Sequence, residues 1–436
     1  MKHLEFSPIW DKGFRTFQSF HRYYCHFYFI IYIFIIYILY CGNYILQERN
    51  IYMKVQFDRD ALLAALTPAA SVAPGRNTIK AIEGILFECP GPTAGTCQLT
   101  AYDMEKGLRT SVEATILQEG SFIINSQNIL QIVRSLPAGQ LLIDVDEKNR
   151  VHISSGSSTF EINALPGDNF PSLPLLSGDR NYTLSQYELR DLITKTIFAI
   201  FQNAQKPIFT GVYFSVEDNV LRCVGCDGNR LGLAETTLGE EVPNASFIVP
   251  GKILMEIMRM IKDSEDEITV SLARKHVIFQ IDGFTYFSRL IDGEYLNYNR
   301  ILPEDYNRAA YINTASLMHA VERASIVTED KLGGSNSKTY IKLEFEENLL
   351  KISSSSAGGS VYEELPISMT GETLVIAFNC RYLMDALKAV GEAETICLKM
   401  NGPLMGMSIK AAEGDEKKEK MVDYTLFIMP LRMNGK

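Results

Sequence analysis

Tryptophan occurs once in the 436 residues, and histidine six times. The histidines, His3, His21, His26, His152, His276 and His319, lack the spacing that would set two imidazoles on one metal ion, and no HExxH is present. GxxxxGK[ST] is missing, no GxGxxG follows a strand-like run, and GxSxG does not occur. Phosphate cradling by a glycine loop and a serine nucleophile on a tight elbow therefore have no motif to rest on. Eight cysteines at 25, 41, 89, 97, 223, 226, 380 and 397 are scattered through a long chain, which is no disulfide framework and fits free thiols in a reducing cytoplasm. Cys223 and Cys226 form a CxxC inside the strand-like LRCVGC, with no second pair to complete four zinc ligands, so they read as buried thiols. Asp-Gly steps in CDGNR (226–230) and IDGEY (291–295) read as turns rather than as acid–base groups. The chain reads as a binder and not an enzyme, with no cofactor or metal expected.

Basic charge is also in deficit: 42 Lys and Arg stand against 52 Asp and Glu, a formal net charge of −10. Tyr23 to Leu46 holds no charged residue at all. Its length would span a bilayer, which takes about 20 apolar residues, and the preceding Lys12, Arg15 and Arg22 would keep the N-terminus in the cytoplasm. Composition changes abruptly at Met53, where MKVQFDRDALLAAL has the look of an N-terminus, so residues 1–52 are set apart as an apolar extension outside the working fold. A membrane-anchored, three-domain binding protein is the alternative reading.

The length, at roughly 100–200 residues per domain, suggests two to four domains, and the chain repeats itself three times. FDRDALLAALTPAASVA (57–73), LSQYELRDLITKTIFAI (184–200) and INTASLMHAVERASIVT (312–328) share a helical pattern, with Leu62, Leu189 and Leu317 spaced by 127 and 128 residues. Ser185 and Glu188 make a capping box. A second helix recurs at 124–137, 249–263 and 378–392, with Asn125 and Asn379 as N-caps. Its apolar stripes are Ile129, Ile132, Val133 and Leu136, then Ile253, Leu254, Ile257, Met258 and Ile261, then Leu383, Leu387 and Val390. Alternating strand pairs with acidic turns lie between, as in GVYFSVEDNVLRCVGC (211–226) and YIKLEFEENLLKISSS (340–355). The expectation is an α+β chain of three repeated domains, 53–178, 179–303 and 304–436, each with two helices on antiparallel sheets.

Charge is segregated between these elements. Residues 1–52 carry +2, which leaves −12 for the rest; the six helical segments together carry +3, so strands and loops hold −15. Arg134, Arg190, Lys195, Lys252, Arg259, Lys262, Arg323, Arg381 and Lys388 are read onto polar helix faces. A ring with helices inside and sheets outside would draw a polyanion into its hole and repel it elsewhere. No recognition helix or aromatic-interleaved basic patch suggests base reading.

MKVQFDRDALLAAL (53–66), LPGDNFPSLP (165–174), CDGNRL (226–231), FIVPGKILMEIMRMI (247–261), SRLIDGEY (288–295) and YTLFIMPLRM (424–433), together with the repeat, resemble the bacterial DNA sliding clamps, the β subunits of DNA polymerase III. The resemblance covers 53–436. It implies a head-to-tail homodimer, six domains in a ring around duplex DNA, held topologically and without sequence preference. It further implies a hydrophobic pocket for short Gln- and Leu/Phe-bearing peptides of the DNA polymerase III α subunit, the clamp loader δ subunit, other polymerases and repair proteins. The matching pocket positions are Phe209, Cys226, Gly228, Asn229, Arg230 and Leu231 in the second domain. Leu296, Arg300 and Ile301 follow from the linker region, and Leu404, Gly406, Met429, Pro430, Leu431, Arg432 and Met433 from the third. The sequence departs from the family pattern at Asn229, often a His or another polar residue, at Leu296, often a Pro, and at Phe209, usually a Leu. It also runs three residues past Met433. For DNA, Arg76 and Lys206 carry over from loop positions, while Arg134, Arg259 and Lys262 follow from the charge argument.

Overall fold

A computed structural model describes residues 53–174, 176–201, 205–239, 241–328, 340–356, 359–414 and 422–433. The apolar run Tyr23 to Leu46 lies outside them; among the described residues no helix is long and apolar enough to cross a membrane. Among the described residues six helices carry the architecture: α1 (Arg59–Val72), α2 (Ser126–Ser135), α3 (Gln186–Ile197), α4 (Gly251–Met258), α5 (Thr314–Thr328) and α6 (Cys380–Val390). Each third of the chain runs strand, helix, three strands, then strand, helix and three strands again, apart from a short extra strand, Ser368–Thr370, in the last third. Every expected helix is present. The Ser185–Glu188 capping box closes on α3, and Asn125 and Asn379 accept the backbone N–H groups of Asn128 and Tyr382.

Helix α4 is shorter than its apolar stripe suggested. Its backbone tightens after Met258, where the N–H groups of Arg259 and Met260 turn back to the carbonyls of Glu256 and Ile257. This is the three-residue winding that often finishes a helix. Ile261 still reaches the core from beyond the helix end, so the stripe outlasts the helix. Arg259 and Lys262, expected on the helix, follow it instead.

The hairpin 211–226 turns at Asp218 and Asn219, both with positive φ (50° and 65°), the backbone of a tight two-residue turn matched to strand twist. Strand alternation puts Cys223 in the main core and Cys226 in a separate cluster on the other face, so the two thiols point apart. Gly225 and Gly232 face each other across neighbouring strands. A Cβ at either would come within 2.1 Å of a carbonyl oxygen of α3, Thr196 and Lys195 respectively. The absence of side chains there is what lets α3 lie directly on the sheet.

The thirds are joined by main-chain pairing. Strand Phe284–Arg289 runs antiparallel to Lys106–Gln118, extending the first third's strands into one 12-stranded sheet with those of the second. Strand Asp423–Ile428 pairs with Arg230–Thr237 in a nine-stranded sheet that joins the second third to the last. Beneath this second junction lies Lys195, which the sequence had placed on a polar helix face and which is 2% exposed. Its ammonium donates to the Val390 carbonyl at the end of α6 (2.8 Å), pairs with Asp191 (3.2 Å) and rests over the Tyr424 ring (4.4 Å). The helical period does carry residue 195 away from the α3 core stripe, but the neighbouring domain covers that face.

Two outcomes test this account. Gly225→Ala forces backbone against backbone, and we expect a loss of about 2 kcal/mol or more in denaturant unfolding, since overpacking ordinarily costs roughly 1–3 kcal/mol even where side chains can yield. Burial pushes the Lys195 amine below its ordinary value of 10.5 despite Asp191. Between the folded and unfolded values the unfolded chain binds more protons, so wild-type stability relative to Lys195→Met should rise with pH through that interval and level off above 10.5. A pH-independent difference between the two proteins would contradict it.

Candidate functional site

Three loops meet at one end of the nine-stranded sheet. Arg230 stands opposite Ile428, and Ile428 stands opposite Met407, so the ends of three adjacent strands coincide. The loops leaving them carry Cys226 to Asn229, Met429 to Met433, and Leu404 to Gly406. The Met429 N–H donates to the Asn229 carbonyl (2.7 Å) and the Leu431 N–H to Ala377 (2.8 Å), which ties down the start of the C-terminal segment.

The floor is apolar. Val224, Cys226, Leu231, Tyr298 and Phe427 form a buried cluster, with Leu296 and Ile301 packed on it. Gly406 is required here, because a Cβ would stand 2.1 Å from the Phe427 ring. Leu404, Met405 and Met429 remain substantially exposed, at 58%, 47% and 38%. Large apolar side chains left in water on loops that leave adjacent strand ends, one of them tied by the Met429 N–H to Asn229, form a surface suited to another molecule's apolar groups. Burial pushes the Cys226 thiol up, so it acts as a small hydrophobe.

The expected pocket positions sit in different surroundings. Arg230 is 8% exposed; its guanidinium bonds Asp227 (2.9 Å) and Asp385 of α6 (2.6 Å) and lies over the Tyr382 ring (4.4 Å). It braces the two domains against each other beneath the pocket. Arg300 and Arg432 are exposed, and Pro430, Leu431 and Met433 are half-buried. Phe209 packs edge-on against Tyr295 (6.1 Å), which stacks on Tyr213 (4.9 Å) and donates its hydroxyl to the Val224 carbonyl. Beside this aromatic wall a cleft of about 560 Å³ shares Leu296. Tyr213, Tyr295, Tyr298 and Phe427 were missed by sequence reasoning. Tyr295 and Tyr298 are interleaved with Leu296, Arg300 and Ile301, which was the available signal.

The expected DNA-facing residues are all exposed, in different electrostatic settings. Arg76 and Lys206 lie in loops, Lys206 with its ammonium 5.7 Å from the centre of the Phe209 ring. Arg134 lies in the last turn of α2. Arg259 pairs with Glu256 (2.7 Å) and Lys262 with Asp282 (2.7 Å), which holds the Lys262 amine charged but offsets its field. Arg190, Lys252, Arg381 and Lys388 are exposed helix residues with no ion partner among the described residues, whereas Arg323 is bound to Glu363.

Comparison with known proteins agrees with this architecture. Residues 53–174, 183–297 and 299–425 match the N-terminal, central and C-terminal domains of the DNA polymerase III beta subunit. A beta sliding clamp of Staphylococcus epidermidis is 29% identical over 390 residues, covering 87% of this chain and 99% of the relative. The Bacillus subtilis DNA polymerase sliding clamp structure has a TM-score of 0.80 at 26% identity, covering 88% of this chain and all of that one. A Pseudomonas aeruginosa sliding clamp solved with griselimycin has a TM-score of 0.78 at 26% identity, covering 87% and 100%. With three clamp domains in order and strand pairing between them, the chain belongs to the DNA polymerase III beta subunit family, the bacterial sliding clamps, which are non-catalytic processivity factors.

Proposed function

We propose that two copies of this chain close head to tail into a ring around duplex DNA and slide on it in the cytoplasm. The observation that carries this reading is a pair of open sheet edges. Within the chain, the last strand of one domain pairs with the third strand after the first helix of the domain before it, at 284–289 with 106–118 and at 423–428 with 230–237. The same rule leaves two strands over. Among the described residues, Ser158–Pro166 pairs over its first six residues on one side only, with Arg150–Ser155, and Gly359–Pro366 pairs only with Leu349–Ser356. Each open edge displays a large exposed apolar side chain, Phe160 and Tyr362. Unpaired edges recruit other strands, and a second copy supplies the complementary edge to each. A heterologous contact of this kind closes when the rotation completes a circle.

The domain limits 53–178, 179–303 and 304–436 fit this reading, with α1 to α6 of both copies lining the hole. Arg76, Lys206, Arg134, Arg259 and Lys262 would face DNA, and the exposed Arg190, Lys252, Arg381 and Lys388 would add to them. The contacts are loose phosphate contacts, because topology supplies retention and tight binding would oppose sliding. The pocket at residues 226–231, 296–301, 404–406 and 429–433, with Phe209 at its edge, would hold linear peptides of the polymerase α subunit, the clamp loader δ subunit, other polymerases and repair proteins. The griselimycin complex of the Pseudomonas clamp supports a ligand-accepting surface on this fold.

For the ring, we expect light scattering to give a mass of two chains that persists on dilution, and clamps loaded on circular DNA to remain bound in high salt until the circle is cut. Phe160→Asp combined with Tyr362→Asp should yield monomers that are not retained; two-chain mass surviving both changes would remove the proposed closure. For the pocket, Met429→Asp should weaken a fluorescent Gln–Leu/Phe peptide by roughly 30-fold or more, the scale of losing a central contact, with the mass unchanged. An unaltered affinity in anisotropy titrations would move the peptide site elsewhere.

A further inference from the structure

Cys89 and Cys97 lie in the first domain, far along the chain from the pocket residues. They flank the loop between strands Gly84–Cys89 and Thr96–Tyr102. The register Leu86–Thr100, Phe87–Leu99, Glu88–Gln98 continues by one step to this pair, so they stand directly opposite each other. Both are buried, at 2% and 0% exposure, and the Cys89 thiol donates to the Cys97 sulfur at 2.8 Å. Opposed Cβ atoms on neighbouring strands lie about 4.5–5.5 Å apart, and a disulfide needs about 3.5–4.5 Å, so a small closure of the hairpin suffices. Gly120 is the residue opposite Cys89 on its other side and places no side chain against it.

Cys89 also borders a cleft, whereas Cys97 lies behind it. Cys89 lines a cleft of about 580 Å³ with Thr96 and Gln98, and the cleft carries Glu88, Glu119 and Asp168 but no Lys or Arg among its lining residues. A small cationic reagent is therefore favoured over an anionic one.

We propose that Cys89 and Cys97 are a reversible oxidative modification site, forming an intrachain disulfide by exchange with low-molecular-weight disulfides. Cys89, deprotonated, attacks one sulfur of the reagent; its S–S bond breaks and one half leaves as a thiolate that takes up a proton. Cys97 then gives up its proton and attacks the Cys89 sulfur, releasing the other half. Two protein S–H bonds are replaced by one S–S bond, and the reagent is reduced to two thiols. The contact with the Cys89 thiol, and then burial, push the Cys97 thiol far up, so the second step is slow at neutral pH and proceeds as the hairpin opens. Reducing conditions return the dithiol. The CxxC of Cys223 and Cys226 is denied this chemistry by facing opposite sides of its strand.

The test treats the folded full chain with cystamine, a dicationic disulfide, and then alkylates free thiols. Tryptic peptide 81–106 contains both cysteines and no others. We expect it to be lighter by two hydrogens, about 2 Da, to resist alkylation, and to recover both thiols after dithiothreitol. In Cys97→Ser the same peptide should instead retain one cysteamine. A wild-type peptide that emerges with two alkyl groups or two cysteamines, or that cross-links only in urea, overturns the proposal.

Discussion

Main-chain hydrogen bonding between domains is the constraint on which the rest of this molecule depends. Strand 423–428 is at once the last strand of the third domain and a neighbour of strand 230–237 in the second. Its end is therefore also the point where Asn229, Met429 and the 404–406 loop converge. Pull that strand away and the pocket has no wall. The side chains under the junction reinforce it: Arg230 to Asp385, and Lys195 to the end of α6, each place a cation from the second domain on the third. Removing one partner would leave a buried charge or carbonyl unsatisfied, which costs more than the bond itself contributes.

This junction also explains how the same sheet can serve two ends. Hydrogen bonding along strand edges is indifferent to side-chain identity, so one docking rule joins the first domain to the second and the second to the third. A ring built by repeating it needs no specialised interface, only open edges of the right kind on the first and last domains. The pocket needs specific chemistry, and there the side chains are particular: Gly406 gives way to Phe427, and Met429, Leu404 and Met405 remain in water. Flexible methionines at such a rim suit peptides of more than one sequence.

The family is non-catalytic, and the polar groups at this junction serve structure. The buried polar side chains at the junction are engaged in bracing, and the thiols in the cores are raised by burial rather than activated. A net negative body with basic helix faces suits a protein that holds DNA by enclosure. Ion pairs at Arg259, Lys262 and Arg323 reduce even that positive field, leaving helix residues such as Arg134 and Arg381 to supply it.

Much of this was legible in the sequence, because it is encoded in local periodicity. Helical spacing and caps such as Ser185 with Glu188 act within one turn, and the spacing of Leu62, Leu189 and Leu317 announces three like units directly. The family was legible through resemblance, in motifs such as CDGNRL and YTLFIMPLRM. What only the tertiary structure decided concerns contacts between distant segments. Lys195 has the periodicity of a solvated residue and is buried because another domain lies on it. Arg230 also braces two domains, because Asp385 comes from 155 residues away. Helix α4 ends early although its apolar stripe continues, and Cys89 meets Cys97 only once strand register is set. Local patterns determine which elements form and which face each buries; the free energy of docking one domain on another determines which polar groups end in water and which must find a partner.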